Sequence, residues 1–397
     1  MKILMVNKFL YENGGSETYI FQLRDFLVSH GHQVQFFGMA DPRNIAGNDW
    51  GLEVDNMEFH GRSLQKLLYP FKVIYSREAR KKIGTLIERF QPDVAHLNNI
   101  NFQLTPSILY ELKKRGVPIV FTAHDYQPIC PNHMLYVPGC GQVCEQCVTR
   151  GYLRCTANRC IHGSLSKSLI GSAESMLYHR LGTYKLIDQT ICPSRFLEEK
   201  LNANPAFQGK TLTLHNFIQD VRAVGAQYQK QEYVLYFGRF STEKGIDTLT
   251  RVCRALPDIP FVFAGGGPLE QRLNELPNVR NMGFQRGKAL EKLICEASFS
   301  VYPSEWYENC PFSVMESQAY GTPVVGAAIG GIPELIREGE TGVLFNSGDE
   351  AALRECILSL WNDKARLKRL TDGCAELCFD TVDQYGDKLM RIYSQAN

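Results

Sequence analysis

The sequence alternates between short apolar runs and longer amphipathic runs, and this alternation most constrains how the chain can fold. Apolar runs of strand length such as Lys2–Val6 and Phe261–Ala264 lead into glycine-containing turns and then into helical patterns. Strands that alternate with helices favour parallel sheets, because each helix returns the chain to the same edge. With 397 residues, the chain is long enough for two domains of ordinary size. We therefore predict an α/β fold with two doubly wound parallel sheets.

A polar stretch near the middle of the chain sets the predicted domain boundaries. Residues 218–231 lack both the helical and the strand period, which is typical of an interdomain linker. We expect an N-terminal domain over residues 1–217, a C-terminal domain over 218–379 and a last helix over 380–397. A cysteine-rich insertion over residues 130–160 interrupts the first of these domains.

Charge and cysteine content narrow the class of protein. The formal net charge is +1, which argues against a general nucleic-acid-binding protein. The sequence contains no apolar run of about eighteen residues, so we do not expect a membrane span. The apolar run at its start is short and is soon followed by Lys8, which is not typical of a signal peptide. The 13 cysteines are an odd number scattered through a large chain. That usage fits a reducing compartment, so we expect a cytoplasmic protein.

Residues 62–90 are predicted to be helical, with basic side chains on one side and apolar side chains on the other. An ordinary pair of amphipathic helices on a domain surface explains this pattern. Contact with an anionic membrane or a lipid-linked substrate explains it as well, so peripheral contact at the inner face of the membrane is a second hypothesis. The basic side chains are Lys66, Lys72, Arg77, Arg80, Lys81 and Lys82.

Two glutamates, Glu308 and Glu316, stand in the spacing E-x7-E after the strand-like run Ser300–Pro303. Ser313 is predicted to cap a helix that starts near Val314. A strand, a polar loop and a helix start form the usual ligand-binding corner of an open α/β sheet, and the helix start suits phosphate. Carboxylates are good partners for sugar hydroxyls. The alternative is a surface loop with two solvated acids.

Other candidate site residues also follow predicted strands. Gly14 and Gly15 open the first helix, where backbone can approach a phosphate closely. Arg239 and Lys244 flank the start of a later helix, a good pairing for a diphosphate. His124 stands at a strand end and could donate to a sugar hydroxyl or act as general acid or base. The plain alternatives are a tight turn, a solvated loop and a structural histidine.

Six of the 13 cysteines lie in residues 130–160. Cys144 and Cys147 form a C-x2-C pair, with Cys140 before it and Cys155 after it. A loop with little apolar content cannot form its own core and needs a cross-link for stability. We therefore predict structural zinc, with these four cysteines as candidate ligands. The spacing matches no standard zinc finger, and an iron–sulfur cluster and free thiols are alternatives.

Several motifs together resemble the retaining glycosyltransferases of the GT-B fold, in the large nucleotide-sugar family that carries the E-x7-E signature. The resemblance covers nearly the whole chain, and it implies two Rossmann-like domains that face a cleft, with the last helix crossing back onto the first domain. The motifs that carry it are Gly238-Arg239…Glu243-Lys244-Gly245, Gly265-Gly-Gly-Pro268, Glu308…Glu316 and Gly321-Thr-Pro-Val-Val325…Gly330-Gly-Ile-Pro-Glu334.

The resemblance also implies roles for individual residues. Glu316 would bind the ribose hydroxyls, and Glu308 would bind the hydroxyls of the donor sugar. Arg239 and Lys244 would neutralise the diphosphate, and His124 would lie near the donor sugar. The other implied donor-binding positions are Gly14, Gly15, Gly238 and Gly266, Phe284 beside the base, and Asn309, Cys310, Pro311, Phe312 and Ser313 around sugar and phosphate.

The reaction implied by the resemblance is transfer of a hexose from a nucleotide sugar, with UDP-glucose as the expected donor, to a polysaccharide or a lipid-linked oligosaccharide. The acceptor attacks from the leaving-group face, so configuration is retained and no metal cofactor is needed. A sugar-nucleotide epimerase, a phosphorylase and a zinc-dependent partner-binding protein are alternatives on the same fold. A glycosidase would need the carboxyls of Glu308 and Glu316 roughly 5–9.5 Å apart across one bond, which their spacing disfavours.

Overall fold

A computed structural model describes residues 1–56, 69–225 and 227–396. The chain divides into two compact units. The first comprises Met1–Gly139, Cys144–Asn216 and Val382–Asn397, and the second comprises Cys140–Val143 and Phe217–Thr381.

A six-stranded parallel sheet forms the centre of the first unit. Its central strands β1, β3 and β4 are largely apolar and buried, as expected when both faces of a parallel sheet are covered by helices. In spatial order the sheet runs β2-β1-β3-β4-β7-β8. The strands of this unit and of its insertion are β1 (Lys2–Val6), β2 (Gln33–Phe37), β3 (Val94–Leu97), β4 (Ile119–Thr122), β5 (Tyr136–Val137), β6 (Gln142–Val143), β7 (Gln189–Cys192) and β8 (Thr211–Thr213).

Helices connect these strands, and serine caps begin three of them: Ser76, Ser164 and Ser194 each accept a backbone N–H three residues on. The helices are α1 (Gly15–Ser29), α2 (Tyr69–Ile74), α3 (Arg77–Phe90), α4 (Ile108–Lys114), α5 (Gln146–Arg150), α6 (Leu153–Ala157), α7 (Leu165–Arg180) and α8 (Arg195–Asn202), with a 3-10 turn at Thr183–Leu186.

The second unit repeats the plan with a sheet ordered β11-β10-β9-β12-β13-β14, again parallel throughout. Its strands are β9 (Val234–Arg239), β10 (Phe261–Gly266), β11 (Val279–Asn281), β12 (Phe299–Tyr302), β13 (Val324–Ala327) and β14 (Gly342–Phe345). Its helices are α9 (Arg222–Gly225), α10 (Ile246–Ala255), α11 (Glu270–Leu273), α12 (Gly287–Glu296), α13 (Phe312–Ala319), α14 (Ile332–Leu335), α15 (Glu350–Asn362) and α16 (Lys364–Glu376), with a 3-10 turn at Thr242–Lys244.

The last helix, α17 (Val382–Ala396), belongs to the first unit. Its Tyr385 hydroxyl lies 2.8 Å from the Tyr19 hydroxyl of α1, and its Tyr393 hydroxyl lies 2.6 Å from Nδ1 of His96 on β3. Buried hydroxyl pairs of this kind satisfy polar groups that would otherwise destabilise the core. The helix is therefore anchored to the N-terminal sheet by hydrogen bonds as well as by apolar packing.

Both sheets place ligand-binding positions where the strand order reverses. In the first sheet the reversal lies between β1 and β3, and in the second it lies between β9 and β12. Connections leave such neighbouring strands in opposite directions, which opens a crevice at their carboxyl ends. These two strand pairs carry most of the predicted site residues.

The start of α13 differs from the prediction. Ser313 does not cap a helix that starts near Val314; the helix begins at Phe312, and Pro311 occupies the N-cap position without a side-chain cap. Proline fixes its own φ near −65°, and at Pro311 φ is −67°. The restricted proline, rather than a serine hydroxyl, sets where this helix begins.

The basic segment predicted over residues 62–90 lies partly outside the described residues. From Tyr69 onward it forms α2 and α3, as the helical pattern predicts. In the part of the chain that the structure describes, no helix combines the length and the hydrophobicity needed to cross a membrane. Contact with a membrane surface stays a prediction.

Candidate functional site

In the second unit, the carboxyl ends of β9 and β10 come into close contact. A Cβ atom at Gly265, where φ is +154°, would overlap the carbonyl oxygen of Gly238. Only glycine fits both the backbone conformation and the space. The contact brings the carboxyl ends of the two strands together, with little side-chain bulk between them and a ligand.

The same strand ends line a pocket of about 280 Å³. Four predicted donor-binding residues, Gly238, Arg239, Gly266 and Phe284, line this pocket together. The Phe284 ring is 79% exposed, and Arg239 is exposed at the end of β9. An aromatic ring face suits stacking against a flat base, and a guanidinium suits phosphate oxygens.

Lys244 and Glu308, predicted to bind different parts of one ligand, are bound to each other. Lys244 Nζ lies 2.5 Å from Glu308 Oε1, and the Ser304 hydroxyl donates to the same oxygen at 2.8 Å. Glu308 is 7% exposed, so its charge is largely removed from water. A buried carboxylate needs a cation and hydrogen bonds of this kind. A diphosphate at Lys244 would share this ion pair.

The loop before α13 is held by residues that sequence reasoning missed. Glu305 N–H donates to the carbonyl of Glu243 at 2.9 Å, and Thr248 bonds the Glu305 carboxylate. The Trp306 ring lies below Lys244, with Nζ 5.1 Å from its centroid. These contacts hold the Lys244 turn against the E-x7-E loop. Trp306 lies two residues before the E-x7-E motif, and an aromatic side chain so close to it was the available signal.

The start of α13 offers backbone rather than side chains. No side chain caps its first turn. The backbone N–H groups of Phe312 and Ser313 therefore remain donors that an anion could use. Cys310 is buried, with its thiol 3.6 Å from the sulfur of Met315. The predicted role of residues 309–313 therefore rests on main-chain N–H groups.

Glu316 lies on α13, in the turn that follows the start of the helix. Within the described residues, its side chain has no hydrogen-bond or ion-pair partner, and burial raises the pKa of its carboxyl to about 7. A half-buried carboxylate in this state is an acceptor for incoming hydroxyl donors. The geometry suits the predicted contact with a ribose.

The raised pKa of Glu316 has a measurable consequence for stability. The folded chain holds this proton more tightly than the unfolded chain, so the contribution is most favourable below pH 4.5 and is lost as pH rises through 7. We expect the loss to be at most about 3 kcal/mol. Urea unfolding at pH 5 and pH 8 measures it. Glu316→Gln should remove this loss, and Glu275→Gln, at an exposed position, should retain it; equal pH dependence in both variants contradicts the assignment.

In the first unit, Gly14 and Gly15 lie exposed at the start of α1. Beneath them is a polar network that the sequence did not reveal. Asn7 donates to the buried Glu17 carboxylate at 3.0 Å and accepts the N–H of Asn99 at 3.1 Å. Burial raises the pKa of Glu17. The network joins β1, α1 and β3 at the point where the strand order reverses.

His124 follows β4 at the same edge. Its Nε2 lies 2.8 Å from Oδ1 of Asn98, which identifies this nitrogen as the donor. Burial lowers the pKa of His124 to about 4, so its ring is neutral at pH 7. A neutral imidazole is a hydrogen-bonding group at this pH and a poor general acid.

Three of the four cysteines predicted as zinc ligands lie in one small apolar cluster. Cys147 and Cys155 pack there with Cys160 and Val137, Cys144 packs against them, and Cys140 is exposed. Among the described residues, no three His, Cys, Asp or Glu side chains are arranged to hold a metal ion. The structural zinc stays a prediction.

Two Rossmann-like parallel-sheet domains of this kind form the GT-B fold. Residues 13–222 match the family described as Glycosyltransferase Family 4. Residues 217–374 match the family described as Glycosyl transferases group 1. The chain belongs to glycosyltransferase family 4.

The individual relatives share limited sequence identity with this chain. The chain is 27% identical over 312 residues to the sulfoquinovosyl transferase of Arabidopsis thaliana, a match that covers 74% of this chain and 54% of that protein. Thus the chain spans about half the length of that relative. Among solved structures, sucrose-phosphate synthase from Thermosynechococcus elongatus aligns with a TM-score of 0.70 at 17% identity, covering 99% and 98% of the two chains. Anabaena HepE in complex with UDP-glucose aligns with a TM-score of 0.67 at 16% identity, covering 100% of both.

Proposed function

We propose that this glycosyltransferase transfers a hexose from UDP-glucose, with retention of configuration, to a polysaccharide or lipid-linked oligosaccharide. The observation that carries the proposal is the Glu316 carboxylate, which has no partner among the described residues and follows the uncapped start of α13. A nucleoside diphosphate supplies both missing partners, because its ribose donates hydroxyls and its phosphates accept N–H groups. The UDP-glucose named in the HepE complex supports the choice of donor.

The mechanism follows from where charge develops. Cleavage of the bond between sugar and phosphate leaves negative charge on the β-phosphate and positive character on the anomeric carbon. Arg239, Lys244 and the α13 N–H groups stabilise the phosphate charge. A phosphate oxygen takes the proton of the acceptor hydroxyl as it attacks from the same face, so configuration is retained. Glu308, held by Lys244 and Ser304, orients the hexose through its hydroxyls.

A thermal-shift series with UDP, GDP and ADP tests the donor. Ligand at about 100 times its Kd adds about 2.7 kcal/mol of stability, so we expect UDP to raise the melting temperature most. Glu316→Ala should abolish the shift, since the ribose loses its acceptor, while Glu275→Ala should leave it intact. A GDP or ADP shift larger than that of UDP would overturn the choice of base.

The anomeric configuration is tested separately. Proton NMR of the product made from UDP-glucose should show an α-linkage, since the donor sugar is α-linked and is retained. A β-linked product would contradict the mechanism while leaving the donor assignment standing.

A further inference from the structure

A second group of ionisable side chains lies in the first unit, formed by residues that have no role in donor binding. Lys8 follows β1, and Asp125 follows β4. His133 and Glu174 come from the segment inserted between β4 and β7, with Glu174 on α7. Because the carboxyl ends of parallel strands share one edge of the sheet, the insertion covers the same edge that carries His124.

Contacts connect His133 with Asp125, and Lys8 joins them through the Phe102 ring, while the Glu174 carboxylate acts on His133 through its charge. His133 Nδ1 lies 3.6 Å from Oδ2 of Asp125 and 3.3 Å from the side-chain amide of Asn101. The Phe102 ring lies 6.0 Å from the His133 ring, and Lys8 Nζ lies 4.1 Å from the Phe102 centroid. The cluster thus combines a carboxylate, an imidazole, an amide, an ammonium group and a ring that is 38% exposed.

Two polar groups in this cluster have unused hydrogen-bonding capacity. Glu174 is only 8% exposed, and its carboxylate has no hydrogen-bond or ion-pair partner within the described part of the chain. The Asn101 Oδ1 atom is buried and has no hydrogen-bond partner there either. A buried polar group without a partner costs of order 1–3 kcal/mol, which a ligand hydroxyl would recover.

Charges in the cluster are balanced. Burial raises the pKa of Glu174 to about 7. Burial alone would lower the pKa of His133, but the carboxylates of Asp125 and Glu174 raise it instead. Burial also lowers the pKa of Lys8 to about 8. Donors and acceptors are mixed without a strong net charge, which suits a neutral polyhydroxyl ligand better than a phosphate.

Backbone strain marks the same place. Seven non-glycine residues in the described chain have positive φ, and four of them, Phe102, Thr105, His133 and Leu135, lie in the two segments that form this cluster. Each costs of order 1 kcal/mol, and such strain concentrates at binding sites where the surroundings fix it. The strain orients Phe102 and His133 themselves, the ring and the imidazole that a ligand would meet.

We propose that this cluster is a saccharide-binding site for the acceptor, to which the cysteine-rich insertion contributes His133 and α7 contributes Glu174. Asp125 and Glu174 accept sugar hydroxyls, His133 and Lys8 donate to them, and Phe102 packs against the apolar face of the ring. The inference rests on the proposed function, because it takes the ligand to be the substrate that receives the hexose. It also assigns acceptor selection to the insertion.

Saturation-transfer NMR on the full chain tests the site, with methyl α- and β-glycosides of glucose, galactose and mannose as probes. We expect at least one probe to bind, and His133→Asn and Glu174→Gln each to weaken it about tenfold or more. UDP affinity should stay within about twofold in both variants. His162→Asn is the matched control, since His162 is an exposed histidine just after the insertion, with φ of +53°.

The outcomes separate this inference from the proposed function. Failure of every probe to bind, or unchanged probe affinity in both variants, overturns the saccharide site even where UDP still binds. Loss of UDP affinity in His133→Asn overturns it as well, because the effect would then be general. Absence of UDP binding by the unaltered chain instead counts against the proposed donor, whichever probes bind.

Discussion

Arg239→Ala is expected to slow hexose transfer by about 10²–10³-fold, equivalent to roughly 3–4 kcal/mol of barrier. Arg239 is exposed at the carboxyl end of β9, beside the pocket that Phe284 lines. A guanidinium there compensates charge that appears on the leaving diphosphate only as the bond breaks, so its loss should lower kcat more than it raises KM. Steady-state kinetics with UDP-glucose measure the effect.

Lys288→Ala provides the control for Arg239→Ala, because Lys288 is an exposed cation on α12 of the same unit. It should leave kcat within about twofold. Arg239→Lys should recover only part of the rate, since an ammonium lacks the forked geometry that holds two phosphate oxygens. A near-normal rate in Arg239→Ala would remove this residue from the active site.

Lys244 should behave differently from Arg239, because it also neutralises Glu308. Lys244→Ala leaves a carboxylate that is 7% exposed without its cation, so stability should fall by about 1–3 kcal/mol in addition to the loss of rate. The double variant Lys244→Ala with Glu308→Gln should regain the stability and remain slow. Recovery of the rate would show that Lys244 serves Glu308 alone.

Gly245→Ala is expected to give the largest loss of stability, about 3 kcal/mol or more, together with loss of transfer. Gly245 has φ of +71°, which costs an alanine about 1 kcal/mol. Its new Cβ would also overlap the carbonyl of Pro303, and such overpacking adds roughly 1–3 kcal/mol. The displaced segments are the Lys244 turn and the loop that carries Glu308. Urea unfolding and UDP-glucose turnover measure the two losses.

Gly348→Ala isolates the contribution of the overlap. Gly348 has a similar φ of +78°, and a Cβ there would meet nothing within 4 Å. The control should therefore lose only about 1 kcal/mol and keep its activity. If Gly245→Ala and Gly348→Ala lost the same stability, the backbone conformation alone would account for the loss. The contact between Gly245 and Pro303 would then not contribute to stability.

Individual strands show how far local patterns determine the fold. The predicted strand Lys2–Val6 coincides with β1, because its last four residues are apolar and fully buried in the sheet. The end of β11 at Asn281 has a different cause. There the Asn281 side chain accepts the N–H of Gly283 at 2.9 Å and turns the chain. A local hydrogen bond of this kind competes with the hydrogen bonds between strands. The hydrophobic pattern of the sequence does not reveal it.

The candidate site was foreseen in part. Motif spacing identified Glu308, Glu316, Arg239 and Lys244, because each follows a strand end in a recognisable pattern. It did not identify Ser304 as a partner of Glu308. It also did not foresee the network beneath Gly14 and Gly15, since its members come from separate strands.

The amino-acid sequence by itself determined the alternation of strands and helices and the positions where most strands end, since these depend on patterns within a few residues. The GT-B fold followed from the resemblance of several motifs to a known family. The tertiary structure decided that Lys244 and Glu308, 64 residues apart, share an ion pair. It also decided that burial lowers the pKa of the His124 ring to about 4 and raises the pKa of the Glu316 carboxyl to about 7. Charge pairing and desolvation depend on what surrounds a group in space, and only the folded chain sets those surroundings.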